Sequence, residues 1–155
     1  MKMLKEIGLI GLGVMGKNIA LNLSDNGLII KAFNDSKEKL EEIKKEFSGT
    51  FEGFTDISDL VNILEKPRPI LLMVPSGKAT KDVIEKIKDL LHEDDLVIDG
   101  GNSFYLDSEE NGLALEQKKI KFIGMGVSGG EEGARNGPAI MVCLLYTSDA
   151  ADDFT

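Results

Sequence analysis

The chain has few of the residues that build disulfide bonds, metal centres or histidine-based catalytic sites. Its 155 residues include one cysteine, Cys143, one histidine, His92, and no tryptophan. A single cysteine excludes an internal disulfide and is typical of a reducing compartment, so we expect a cytoplasmic protein. With so few cysteines and histidines we also predict no metal site. We interpret His92 as solvated, because it lies in the charged segment Leu91-His92-Glu93-Asp94-Asp95.

Excess positive charge and long apolar runs are absent as well. The chain carries 18 Lys and Arg against 27 Asp and Glu, a net charge of −9. This balance argues against nucleic acid or an anionic membrane as a partner, since both carry charge of the same sign. No stretch reaches the roughly 18 consecutive apolar residues that a membrane-spanning helix needs. The apolar run behind Lys2 and Lys5 is interrupted by glycines and followed by Lys17, which is not typical of a signal peptide.

The most informative feature that is present is a Gly-x-Gly-x-x-Gly pattern between an apolar run and a helical pattern. In dinucleotide-binding proteins the first glycine permits a tight turn, the second lets phosphates approach the backbone, and the third lets the helix pack closely. The helix N-terminus then presents N–H groups and the positive end of its dipole to the phosphates. We therefore predict a cofactor pyrophosphate site formed by Gly11, Leu12, Gly13, Val14, Met15 and Gly16.

Hydrophobic spacing along the chain alternates between strand and helix periods. The pattern predicts strands over 5–10, 28–33, 50–54, 70–74, 96–98 and 121–124. Helices are expected over 14–26, 37–47, 58–64, 81–91 and 108–118. This alternation favours an α/β fold with a doubly wound, mostly parallel sheet of order 3-2-1-4-5-6, as in Rossmann-like domains. We expect one such domain over residues 1–141.

Polar and glycine-rich segments follow several predicted strands and should gather along the carboxyl edge of the sheet, where ligands of such folds bind. They are Asn34-Asp35-Ser36, Val74-Pro75-Ser76-Gly77, Asp99-Gly100-Gly101-Asn102-Ser103 and Gly126-Val127-Ser128-Gly129-Gly130. A second Gly-x-Gly-x-x-Gly begins at Gly124, but Glu131 and Glu132 follow it and would repel phosphate. We interpret that segment as a substrate-side loop. A paired-carboxylate acid/base site at these two glutamates is a weaker alternative, because adjacent side chains in a loop usually diverge.

Five motifs together resemble the N-terminal domain of the decarboxylating 6-phosphogluconate dehydrogenases over about residues 5–141. They are Gly11-Leu12-Gly13-Val14-Met15-Gly16, Phe33-Asn34, Lys66-Pro67-Arg68, Asp99-Gly100-Gly101-Asn102-Ser103, and Gly126 to Arg135 with Gly137-Pro138. The last two are the specific ones. Related β-hydroxyacid dehydrogenases share the first loop and a Ser-Gly-Gly but lack the Gly-Gly-Asn-Ser run and the Gly-Glu-Glu-Gly-Ala-Arg extension.

The resemblance implies oxidation of 6-phosphogluconate by hydride transfer to NADP or NAD, followed by loss of CO2 to give ribulose 5-phosphate. It implies cofactor contacts at Val74, Pro75 and Ser76, and contacts to both nicotinamide and substrate at Asn102. Ser128, Gly129 and Gly130 would bind the sugar acid. Alternative roles are an Asx turn at Asn102 and a helix N-cap at Ser128.

The family's catalytic acid and base and its grip on the substrate phosphate lie in a C-terminal part that has no counterpart here. We therefore expect no catalytic residue in this chain, and a homodimer for the full-length protein. Two rival classes stay open: a nucleotide-binding module without chemistry, and a β-hydroxyacid dehydrogenase of the 3-hydroxyisobutyrate type.

The chain departs from the family pattern after Asn34, where Asp35 replaces the usual Arg that grips the 2′-phosphate of NADP. Asp35 follows Gly16 by roughly the 20 residues at which an acidic residue bonds the ribose 2′-hydroxyl of NAD. The family favours NADP, whereas Asp35 together with Asn34 and Ser36 suggests a shift toward NAD. Alternatively, Asp35 caps the next helix, or Lys37 and Lys39 compensate for its charge.

The second departure is the segment 142–155, where the family continues into a helical domain. Residues 143–152 resemble the translation of a sequencing adaptor, so we predict a tail of non-native origin without function. The alternative is a divergent strand over 142–147 followed by an acidic end.

Overall fold

A computed structural model describes residues 4–101 and 103–146, with the backbone alone at residue 105 and over 139–146. The strands are β1 (Glu6–Ile10), β2 (Ile29–Phe33), β3 (Phe51–Phe54), β4 (Pro69–Leu72), β5 (Leu96–Asp99), β6 (Lys121–Ser128) and β7 (Ala139–Tyr146). The helices are α1 (Val14–Asp25), α2 (Lys37–Lys44), α3 (Ile57–Ile63), α4 (Lys78–Ile87), α5 (Tyr105–Glu116) and α6 (Gly130–Asn136). Across the described residues, every helix is too short or too polar to cross a bilayer.

The strands form one sheet in the order β3-β2-β1-β4-β5-β6-β7. The first six are parallel, and β7 pairs antiparallel with β6. The predicted fold class and the strand order 3-2-1-4-5-6 are confirmed. All four residues of β4 are buried, as expected for a central parallel strand that is covered on both faces.

The core consists of two apolar clusters, one on each face of the sheet. The first cluster includes Ile19 of α1, Leu40 of α2 and Ala134 of α6. The second includes side chains of α3, α4 and α5, for example Leu60 of α3 and Ile84 of α4. Helices therefore cover both faces, which is the doubly wound arrangement. In the first cluster α6 packs beside α1, a contact that could not be predicted from the sequence.

Several predicted element ends shift by a few residues, as for the helix expected over 81–91, which spans Lys78–Ile87. Three larger differences concern the carboxyl-terminal part of the fold. Strand β6 continues to Ser128, so the predicted loop over 126–130 is in part strand, because β7 supplies hydrogen-bond partners along it. Helix α6 was not predicted, since its seven residues include two glycines and little apolar spacing. Strand β7 crosses residue 142, where the tail is predicted to begin. The origin of residues 142–155 stays a prediction, and residues 147–155 lie outside the described part.

The amino edge of the sheet, where the parallel strands begin, carries paired charged side chains. Arg68 and Asp95, which precede β4 and β5, form an ion pair at 3.2 Å and are 5% and 0% exposed. On the neighbouring strands Glu6 pairs with Lys31 at 2.7 Å and accepts the Glu65 N–H at 2.8 Å. We call this side of the sheet the closed edge.

Candidate dinucleotide-binding site

The three glycines after β1 are required for three different reasons. Gly11 has φ +110°, and a Cβ there would lie 2.4 Å from the Met73 carbonyl oxygen. A Cβ at Gly16 would lie 1.9 Å from the carbonyl oxygen of Gly11, so a side chain would force α1 away from the turn. Gly13 is the opposite case, since nothing lies within 4 Å of its Cβ position. The turn and the close packing are thus properties of the fold, whereas the space at Gly13 is available to a ligand.

The N-terminus of α1 presents backbone N–H groups without a competing side chain. Gly13 is its N-cap, and the structure has no side-chain cap hydrogen bond and no acidic residue in the first turn. The first N–H groups of a helix have no acceptor within the helix, and the dipole adds partial positive charge there. The arrangement is suited to an anion such as a pyrophosphate.

A cleft of about 440 Å³ lies in front of this helix, at the carboxyl ends of β1, β4 and β5. Among the described residues that line it, none has a titratable side chain, so its polar character comes from the backbone. The lining residues are Gly11, Gly13, Val14, Met15, Gly16, Met73, Val74, Pro75, Gly100, Gly101 and Val127.

The structure brings most of the predicted pyrophosphate residues to the cleft, together with Val74 and Pro75. Leu12 is 4% exposed and its side chain packs in the core, so only the backbone of this residue is close to the turn. Ser76 lies beyond the lining, in the turn before α4. Sequence reasoning missed Met73 as a lining residue because it reads as an ordinary strand residue, and it assigned Val127 to a substrate-side loop and not to the cofactor cleft.

The segment after β2 is ordered by its own hydrogen bonds. The Asn34 side chain accepts the Ser36 N–H at 2.9 Å, and the Ser36 hydroxyl accepts the Lys39 N–H at 3.2 Å. Ser36 is therefore the N-cap of α2, and the alternative that Asp35 caps this helix is wrong. Asp35 is exposed at the carboxyl edge, just past the end of β2.

At the end of β5 the Asp99 carboxylate organises the backbone that forms the next wall of the cleft. It is 1% exposed, its Oδ1 accepts the Gly101 N–H at 3.0 Å, and its Oδ2 accepts the Ser103 hydroxyl. The predicted roles of Asn102 fall on a residue outside the described part. No local signal marked Asp99, since burial of a single carboxylate is not visible in a sequence pattern.

The predicted substrate residues lie at the junction of β6 and α6. Ser128 ends β6 and is exposed, while Gly129 and Gly130 have φ +113° and +63°. The N-cap of α6 is Gly129, so the alternative of Ser128 as N-cap is wrong. This segment is adjacent in sequence to Val127, which lines the cleft.

The two glutamates after this segment are exposed in the first turn of α6. Neither Glu131 nor Glu132 lines the cleft, which leaves the paired-carboxylate alternative without support from the geometry. Arg135 forms an ion pair with Asp25 of α1 at 2.7 Å. This contact joins the helix that follows the predicted substrate segment to the helix that faces the predicted phosphates.

A family model described as the NAD binding domain of 6-phosphogluconate dehydrogenase matches residues 6–144. A decarboxylating 6-phosphogluconate dehydrogenase of Chlamydia muridarum is 50% identical over 138 residues, which cover 88% of this chain and 29% of that protein. The NADP(+)-dependent enzyme of Bacillus subtilis is 47% identical with the same coverage. The chain thus spans about three tenths of the length of these relatives.

Solved structures show the same relation. The 6-phosphogluconate dehydrogenase of Plasmodium falciparum, studied in apo form and with NADP+ or 6-phosphogluconate, superposes with a TM-score of 0.83 at 38% identity. The match covers 96% of this chain and 32% of that one. A 3-hydroxyisobutyrate dehydrogenase of Mycobacterium tuberculosis has a TM-score of 0.79 at 23% identity, which indicates a shared fold alone.

Proposed function

Because the chain belongs to the family of 6-phosphogluconate dehydrogenase NAD-binding domains, we propose that it holds NAD(P) with the pyrophosphate on the N-terminus of α1. The observation that carries this proposal is the uncapped start of α1 behind Gly13, where a Cβ would meet nothing within 4 Å. Backbone N–H groups and the helix dipole supply the attraction that an acidic chain of net charge −9 lacks overall.

The sheet order sets the direction of the cofactor in this proposal. In doubly wound folds the dinucleotide crosses the point where the strand order reverses, here between β1 and β4. The adenosine ribose then lies toward Asp35 at the end of β2, as the acidic residue of the dinucleotide fingerprint does. The nicotinamide lies on the other side, toward Val74, Gly100 and Gly101.

Replacement of Gly13 by Val tests the pyrophosphate site. The added side chain occupies the space in which we place the phosphates, yet it meets no protein atom within 4 Å at its Cβ. We expect the thermal midpoint to change little and the affinity for NAD and NADP, measured by calorimetric titration, to fall by at least roughly tenfold. Unchanged affinity in a folded Gly13→Val variant would overturn the proposal.

For the choice of cofactor we propose a shift toward NAD relative to the family's usual NADP. Asp35 is exposed, and its position beyond β2 suits a hydrogen bond to a ribose 2′-hydroxyl. At roughly 5 Å a carboxylate and one phosphate charge repel by about 1 to 3 kcal/mol across plausible dielectrics. The Bacillus subtilis relative carries NADP in its name, so the proposed shift would set the present chain apart from that relative.

Asp35→Asn tests the shift, because it removes the charge and keeps the size of the side chain. We expect NADP to bind from roughly fivefold to over a hundredfold more tightly than to the wild type, while NAD binds equally or more weakly. Glu41→Gln on α2 is a matched control that removes one exposed charge outside the loop. A wild type that already prefers NADP, or an Asp35→Asn variant with the same NADP affinity, would contradict the shift.

For the full-length protein we propose oxidative decarboxylation of 6-phosphogluconate to ribulose 5-phosphate, by a cytoplasmic homodimer. Asn102, Ser128, Gly129 and Gly130 are the proposed substrate contacts. The 155-residue chain itself is proposed to bind cofactor without turnover, since the described residues that line the cleft include no acid or base. Assays of CO2 release by this chain and by the full-length gene product test both statements. Measurable release by the short chain would overturn the second.

The segment 142–155 is proposed to contribute nothing to this function. A chain that ends after residue 146 keeps all of β7 and should bind NAD(P) with the affinity of the 155-residue chain. The coding DNA provides an independent check, because an adaptor predicts one specific nucleotide string over residues 143–152.

A further inference from the structure

Asp99 is a buried carboxylate that the proposed function does not use. It ends β5, is 1% exposed, and belongs to none of the ion pairs among the described residues. A carboxylate removed from water is costly unless hydrogen bonds replace its solvation. Here Oδ1 accepts the Gly101 N–H at 3.0 Å, and Oδ2 accepts the Ser103 hydroxyl at 2.5 Å. Both oxygens are thus committed to the backbone and side chain of the segment that follows.

This segment is packed tightly against the end of β4. A Cβ at Gly101 would lie 2.4 Å from the Val74 carbonyl oxygen, and one at Gly100 would lie 2.5 Å from the Met73 sulfur. The Gly100 N–H also donates to the Leu72 carbonyl at 2.8 Å. These contacts leave the backbone little freedom, and Met73, Val74, Gly100 and Gly101 all line the cleft.

We infer that Asp99 is a positioning residue, which holds Gly100 and Gly101 in place as the wall of the nicotinamide half of the cleft, with Ser103 as its second anchor. The inference rests on the proposed function, since the sheet order places the nicotinamide beside β4 and β5. Asp99 acts through the segment and does not touch the cofactor. Its loss should therefore weaken the contacts of one half of the dinucleotide and leave the other half intact.

Asp99→Asn is the first test. The amide oxygen still accepts the Gly101 N–H, but the NH2 group can only donate to the Ser103 oxygen, so a charged acceptor is replaced by a neutral contact of reversed direction. Because the hydrogen bond to the charged carboxylate is weakened, we expect the affinity of the variant for NAD and NADP to fall roughly tenfold. ADP, which covers only the adenosine and pyrophosphate part, should bind the variant and the wild type equally.

Ser103 provides a second test that keeps Asp99 and so avoids a folding failure of the first variant. Ser103→Ala should weaken NAD binding several-fold through loss of the same hydrogen bond, and Ser103→Thr, which keeps the hydroxyl, should restore it. A purely structural role would change ADP and NAD binding together.

The outcomes separate the two proposals. Wild-type affinity for NAD in Asp99→Asn or Ser103→Ala, or an equal loss of ADP and NAD, would overturn the positioning role while the dinucleotide site stands. A wild-type chain that binds neither ADP nor NAD would contradict the proposed function itself.

Discussion

The closed edge and the carboxyl edge of the sheet differ in how their polar groups are arranged. At the closed edge charged side chains are buried and paired, as in Arg68 with Asp95. At the carboxyl edge glycines and backbone N–H groups are presented, and no described residue that lines the cleft has a titratable side chain. Most polar groups named at the first edge are therefore paired within the protein, the buried Arg68 Nε being an exception among the described residues, whereas the backbone groups at the second edge are available to a ligand.

Each edge nevertheless contains a buried carboxylate, Asp95 at the closed edge and Asp99 at the carboxyl edge. The hydrogen-bond partners of these two carboxylates explain why their roles differ. Asp95 accepts the Arg68 N–H, the Arg68 guanidinium and the His92 N–H, and it joins the starts of two strands. Asp99 bonds only within the segment that follows β5. The first carboxylate therefore joins the start of β4 to the start of β5, and we assign to the second the local shape of one wall of the cleft.

Asp95→Ala should produce the largest effect, because it leaves the Arg68 charge buried without its partner. Removal of one member of a buried ion pair costs about 3–5 kcal/mol of unfolding free energy. Urea denaturation measures this loss, with Glu93→Ala, at an exposed site of the same turn, as the control. The cofactor affinity of the folded variant should be that of the wild type. If Asp95→Ala is as stable as the control, the claim that the buried pair at the closed edge stabilises the fold is wrong.

Gly16→Ala should come next and should damage stability and binding together. Its Cβ would lie 1.9 Å from the Gly11 carbonyl oxygen, so α1 must shift away from the turn. Forced overpacking of this kind costs about 1–3 kcal/mol, and the shift displaces the N–H groups proposed for the phosphates. The comparison with Gly13→Val, which should affect binding alone, is made by thermal unfolding and NAD titration. Equal profiles for the two variants would contradict the separate roles of the two glycines.

The smallest effect is expected at an exposed ion pair on the surface, between Lys118 and Asp89. The hydrogen bond from Lys118, and then its charge, lower the pKa of Asp89 below its usual value, at a distance of 2.7 Å. A carboxyl whose pKa is lower in the folded state adds stability above its unfolded pKa, and this is lost as the pH falls through the folded value.

Asp89→Asn should therefore reduce stability slightly at neutral pH. The difference from the wild type should begin to shrink below about pH 4, vanish as the pH falls through the folded pKa, and be smaller in high salt. Unfolding curves at several pH values measure this, and NAD affinity should not respond. A difference that grows in acid would show that the sign is wrong.

Local patterns were sufficient for the parts of the fold that depend on neighbouring residues. The turn from Gly11 to Gly16 and the buried strand β4 were predicted because glycine spacing and an apolar run mark them locally, although the carbonyl that excludes a side chain at Gly11 belongs to Met73. Strand β7 was anticipated only in part, as the alternative strand over 142–147, and the full length of β6 was not predicted, since each requires the other as an antiparallel partner. In the candidate site, Asp35 was identified by its spacing, but the identity of the α2 cap as Ser36 depended on backbone geometry.

The sequence by itself determined the alternation of strands and helices, the glycine turn and the net acidity, because periodicity, residue size and charge are local quantities. Only the tertiary structure decided which carboxylates are buried, which glycine faces open space and which helices adjoin. Those properties depend on residues far apart in the chain, such as Gly101 against Val74 and Arg135 against Asp25. Their contact is produced by packing of the sheet and its two layers of helices.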